Sequence, residues 1–234
     1  MSAAVSPPSS STLSAPGWLH RALRHRSFVI GAVLSALLIL AALLSFVWTP
    51  WSPYEMDLAN KLASPSAKHW LGTDAFGRDV ASLLLVGARN SILVGVIAVG
   101  IGLTIGTALG LLAAAKRGWV EELIMRLADF TFAFPAILSA IMMTAVFGAG
   151  IVNSIIAIGI FNIPTFARVT RASANAVWSR EYILASRACG KGSWRITLEH
   201  VLPNILSVLI VQATIQFAIA ILAEAALSYL GLGT

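Results

Sequence analysis

Glu181-Tyr-Ile-Leu-Ala-Ser-Arg-Ala-Cys-Gly190-Lys-Gly-Ser-Trp-Arg-Ile-Thr-Leu-Glu-His-Val-Leu-Pro203 is a charged, small-residue stretch set between two long apolar runs. That contrast decides the fold. The flanking runs have the length and composition of membrane helices, so the stretch between them is a loop held on one side of a bilayer. The rest of the chain agrees. Of its 234 residues, 58% are hydrophobic and 11% charged, against about 25% charged in an ordinary soluble domain. Mean hydropathy is +0.84. No soluble fold hides that much apolar surface, and the expected architecture is an all-α polytopic membrane protein.

Composition also excludes functions. Net charge is +6, but the basic residues cluster between apolar runs, as orientation signals do. No nucleic-acid-binding motif accompanies them, so no nucleic-acid partner is expected. The single cysteine, Cys189, forbids an intrachain disulfide. His20, His25, His69 and His200 show no metal-ligand spacing. No triad or paired-carboxylate site is present, so neither a catalytic residue nor a metal or cofactor is expected. Gly190-Lys-Gly-Ser193 is no P-loop: a hydroxyl residue would have to follow Lys191 directly, and Ala185 stands where a glycine is needed.

Outward from the loop, five spans are expected. Residues 1–27 read as a disordered, basic tail. Phe28 to Trp48 is 21 residues without a charge, enough at about 1.5 Å each to cross a ~30 Å hydrocarbon core. A cleaved signal peptide would have a shorter apolar region and a small-residue cleavage site, whereas this run ends in Phe46-Val-Trp-Thr-Pro50. Residues 28–83 thus form a first helix and an outer loop, with Trp48, Trp51, Tyr54 and Trp70 as an interfacial belt. Within it, Leu71 to Val80 reads as a turn into a helix capped by Thr73 or Asp74. It is either a plain helix start or an amphipathic element lying over a pathway mouth.

Residues 84–234 form the main transmembrane unit. The second helix, Leu84 to Ala115, repeats a small residue at Ala98, Gly102, Gly106, Gly110 and Ala114. In lipid that stripe lets another helix approach closely. The third runs from Glu121 to Phe147, kinked at Pro135. The fourth begins near Ile151 and the fifth runs from Asn204 to Leu227. With the N-terminus inside, only Lys61, Lys68, Arg78 and Arg89 of the 16 Lys and Arg lie outside, and the Glu181–Pro203 loop is cytoplasmic. In it, Ser179 can cap a short helix beginning at Glu181, Gly190 and Gly192 stop it, Ser193 restarts a second piece, and Pro203 ends or redirects that. The loop is either a solvated connector or a docking element. Gln212 and Gln216 share a face of the fifth helix. They serve either as interhelical glue or as pathway lining. Glu224, near the outer end, either joins them or faces water.

Leu184-Ala-Ser186, Gly190 and His200-Val-Leu-Pro203 resemble the EAA loop of ATP-binding-cassette importer permeases: Glu-Ala-Ala, three residues, Gly, nine residues, Ile-x-Leu-Pro. Ala185, Gly190, Leu202 and Pro203 match; Leu184, Ser186 and His200 depart. The segments Leu71–Asp79, Asp129 with Ala133-Phe-Pro135, and Leu222–Gly231 are similar to the C-type permease of dipeptide, oligopeptide and nickel importers. The resemblance implies a coupling loop at 173–203, with Glu181, Tyr182, Leu184, Ala185, Ser186, Gly190, Gly192, Leu202 and Pro203 presented to cytoplasmic ATP-binding subunits. It implies a second homologous permease as heterodimer partner and an extracytoplasmic substrate-binding protein. It further implies inner-membrane residence, and a peptide or, alternatively, nickel substrate. The family pattern has six helices, so five imply a chain lacking the last one and, as a further alternative, a truncated membrane protein that does not transport.

Overall fold

The computed structural model describes residues 23–233, so the expected tail lies almost wholly outside the described residues. Regular structure among the described residues is helical, apart from one isolated bridge between Thr73 and Asp79. Helix α1 is Arg26–Val47, α2 is Val80–Lys116, α3 is Gly118–Phe132, α4 is Ala136–Phe147 and α5 is Ile151–Trp178. Two short helices follow, α6 at Glu181–Ala188 and α7 at Ser193–Ile196, then a π turn at Thr197–Val201 and α8 at Leu202–Tyr229. Four helical stretches are long and apolar enough to cross a membrane, or five if α3 and α4 count as one broken span.

The core is the α2–α5 pair. Ala98, Gly102, Gly106, Gly110 and Ala114 are all buried, as the small-residue stripe predicts. A Cβ on Gly102 would collide with Asn162, one on Gly106 would lie 2.5 Å from the Ile163 carbonyl, and one on Gly110 2.5 Å from that of Ala167. These contacts advance together along both helices, so the pair is parallel. Helix α8 returns antiparallel against α2, with Phe217 over Gly95 and Glu224 beside Ser91. By contrast α1 buries only Ala42 and Ser45, and most of its large apolar side chains are uncovered.

The third expected helix is broken rather than kinked. Helices α3 and α4 meet at 80°. Pro135 has no N–H to donate, and its ring disfavours helical backbone at Phe134. The chain turns extended there (Pro135 ψ 123) and restarts as α4. Twelve residues of α4 span ~18 Å, less than the ~30 Å core. Helix α3 is instead charged and tied to α5: Arg171 Nε donates to Glu121 at 2.5 Å, and Arg168 pairs with Asp129. Glu122 and Arg126 pair at 3.2 Å, as their spacing predicts.

The loop before α2 corrects the expected caps. The N-cap is Asp79, whose carboxylate accepts the Ser82 N–H and Oγ–H at 2.8 Å each. Thr73 accepts from Ala63 N–H and donates to the Asn60 carbonyl, while Asp74 takes the N–H of Phe76 and Arg78 and pairs with the Arg78 guanidinium. Both therefore build the loop, not the helix end, and no amphipathic helix forms over residues 71–78. Burial pushes the Asp79 carboxyl up, but the bonds from Ser82 and from His69 outweigh it and hold the group below the usual carboxylate range. Of the belt aromatics, Trp48 and Trp70 pack at 5.8 Å, and Trp51 donates Nε1–H to the Lys68 carbonyl.

Candidate functional site

Helix α5 ends where its last polar side chains fold back: Ser179 Oγ donates to the Ala176 carbonyl at 2.9 Å. Ser179 thus closes α5 and does not cap α6, whose N-terminus follows the extended Arg180 without a side-chain cap. Helix α6 is anchored by Ile183, which is fully buried. Glu181, Tyr182, Leu184 and Ala185 are left uncovered, and Ser186 is half-buried. Its end is a Schellman turn: Gly190 N–H reaches the Arg187 carbonyl and Lys191 N–H that of Ser186, with Gly190 at φ +81. Gly192 is extended, and α7 restarts at Ser193 as expected.

Pro203 neither ends nor redirects the helix. From Ser193 to Tyr229 the helix is continuous. The π turn widens the ladder, so that Leu202 N–H bonds the Thr197 carbonyl five residues back. That extra residue makes room for a ring that lacks an N–H.

Three residues that sequence reasoning left without a role hold the loop together. Glu199 accepts from Lys191 Nζ at 2.7 Å and from Arg195 Nε at 2.5 Å. His200 Nε2 lies 3.3 Å from Lys191 Nζ and 3.5 Å from Ser186 Oγ, with the Tyr182 ring edge-on to it. Trp178 carries the Arg187 guanidinium over its ring at 4.8 Å. The four-residue spacing of Arg195 and Glu199 was a readable signal. The Ser186–His200 contact was not, although both are positions where the chain departs from the loop pattern.

The intramembrane candidates separate. Gln216 is buried and faces a cavity of ≈ 370 Å³ between the α3–α4 break, α5 and α8, which Asn162 also lines. Gln212, one turn away, is half-buried and outside that cavity. Glu224 does not face water: it is 4% exposed and accepts from Ser91 Oγ at 2.9 Å and Ser228 Oγ at 2.8 Å.

Long apolar helices, one sharply bent helix pair and a helical loop of small residues before α8 define the class: a polytopic helical membrane protein. The family model described as binding-protein-dependent transport system inner membrane component matches residues 106–234, and that of the N-terminal transmembrane domain of oligopeptide transport permease C matches 18–65. The chain is 42% identical over 210 residues to the dipeptide transport system permease protein DppC of Alkalihalophilus pseudofirmus, covering 90% of this chain and 69% of that one. It is 39% identical over 207 residues to the glutathione transport system permease protein GsiD of Pectobacterium atrosepticum, covering 86% and 69%. The inward-facing MetNI methionine ABC transporter shares the fold, with a TM-score of 0.58 at 21% identity over 63% of this chain and 74% of that one. The chain belongs to the family of binding-protein-dependent inner-membrane permeases.

Proposed function

We propose that the chain is the permease subunit of an ATP-binding-cassette importer of di- or oligopeptides, with no catalytic chemistry of its own. The N-terminus and the Glu181–Pro203 loop are cytoplasmic. A substrate-binding protein delivers on the opposite face, a homologous permease completes the pathway, and ATP-binding subunits supply the driving force. Peptides are favoured by the substrates in the relatives' names, and nothing in those names favours nickel.

The observation that carries this reading is α6. It is a short helix capped by Gly190, rooted by Ile183, with Leu184 57% exposed and small Ala185 beside it. An apolar side chain held out on a rigid, low-bulk helix suits a groove on a protein partner better than it suits water. Glu181 to Gly192 are the coupling segment. Leu202 and Pro203 lie in the helix that carries its movement into the membrane. The test is Gly190→Val. A Cβ there meets nothing within 4 Å, but a β-branched residue resists φ +81. The α6 cap should open, and ATPase subunits co-purified with the permease should fall about tenfold, equivalent to ~1.4 kcal/mol. Membrane insertion should be normal. Unchanged co-purification would reduce the loop to a connector.

A further inference from the structure

The cavity between the α3–α4 break, α5 and α8 holds a polar group that the protein leaves unanswered. Asn162 is 5% exposed and lines the cavity, while its Nδ2 is enclosed behind it without a hydrogen-bond partner. Gln216, 6% exposed, borders the same cavity and makes no side-chain hydrogen bond among the described residues. Asn162 is eleven residues into α5 and Gln216 thirteen from the end of α8, so the two lie ~16 and ~20 Å from the same membrane face. That is the middle of a ~30 Å hydrocarbon core. An amide N–H unpaired at that depth costs several kcal/mol, and an acyl chain cannot relieve it. The Gln216 amide, open to the cavity, calls for a neutral ligand with a carbonyl acceptor and an N–H donor.

The arrangement is built, not incidental. Gly102 lets α5 approach α2 so closely that Asn162 is wedged from behind. The break at Pro135 removes the helical wall that would otherwise close the front, and Phe132 and Phe161 line the remainder. No ionisable side chain lines the cavity, which suits an amide and disfavours a charged terminus.

We propose that Gln216, beside Asn162, forms a mid-membrane subsite that takes a backbone peptide group of the passing substrate, Gln216 Nε2–H donating to its carbonyl oxygen and Gln216 Oε1 accepting its N–H, the bond that backbone N-methylation removes. This rests on the peptide-import reading above.

The test uses the full importer in liposomes, at saturating loaded binding protein, with trialanine and its backbone N-methylated analogue. Wild type should move trialanine faster than the analogue. Gln216→Leu, close in volume, and Asn162→Leu, which is bulkier, should each slow trialanine uptake about tenfold and abolish that preference. Co-purified ATPase and second permease should stay at wild-type level, which a folding defect would not allow. Gln216→Leu alone carries the test should Asn162→Leu not assemble. Wild-type rates with the preference intact in Gln216→Leu would overturn the subsite. So would loss of the co-purified second permease, which would mean that the amides meet a partner subunit. A wild-type importer that ignores trialanine would sink the peptide reading itself, and the subsite with it.

Discussion

Asp79 joins two separate jobs in one carboxylate, capping α2 through Ser82 and taking His69 at 3.0 Å, while its backbone stands in the bridge opposite Thr73. Asp79→Ala should cost about 1 kcal/mol for the cap alone, read as increased amide exchange over residues 69–82. Its carboxyl titrates lower in the folded loop than in an unfolded chain. The stabilisation is therefore complete above the ordinary aspartate value of about 3.9 and is lost as pH falls through the lower folded value. Amide protection around Ser82 should not fall on this account between pH 7 and 5, and should drop well below pH 4; Asp79→Asn should remove that acid step. Choosing Asp79 over Thr73 or Asp74 was beyond the sequence, because all three have capping chemistry. Only the folded loop shows which one precedes helical backbone. Glu224 stayed open between two readings for a related reason: its partner Ser91 is 133 residues away, and no local pattern announces it.

At the scale of elements, what was legible is what repeats locally. The four-residue spacing from Ala98 to Ala114 made a packing face visible, and it is the α2–α5 seam. Gly106→Leu should disrupt that seam, since the Ile163 carbonyl and Phe166 Cβ stand within 2.6 Å of the new Cβ. Overpacking of this kind costs about 1–3 kcal/mol, visible as a lower Tm in detergent. Gly100→Leu, with nothing within 4 Å, is the control and should change little. The prolines were not legible. Pro135 breaks a span, Pro203 sits in a continuous helix, and Pro164 lies inside α5. The same ring has three outcomes because the π turn before Pro203 and the packing of α5 are set outside the local sequence.

At the scale of the molecule, hydropathy and charge were enough to see a bundle of membrane helices, since lipid rewards length and apolarity directly. They could not show which helices touch, and so could not bring Asn162 to the cavity of Gln216. The proposed sidedness has a native reporter, because Cys189 is the chain's sole cysteine and is exposed within the loop, at the end of α6. A membrane-impermeant maleimide should label it in inside-out vesicles and spare it in right-side-out ones; the reverse pattern would invert the topology. Added ATPase subunits should slow the labelling. Finally, the helix from Ser193 to Tyr229 has 37 residues, or ~55 Å at 1.5 Å each. It starts two residues after Lys191, and just beyond its far end Leu232 accepts the Gly150 N–H at the head of α5. In mechanical terms it is a pushrod. On the proposed coupling role, a push at the loop would travel along this one rod to the end joined to α5, and the widened turn before Pro203 is the place built to take a bend.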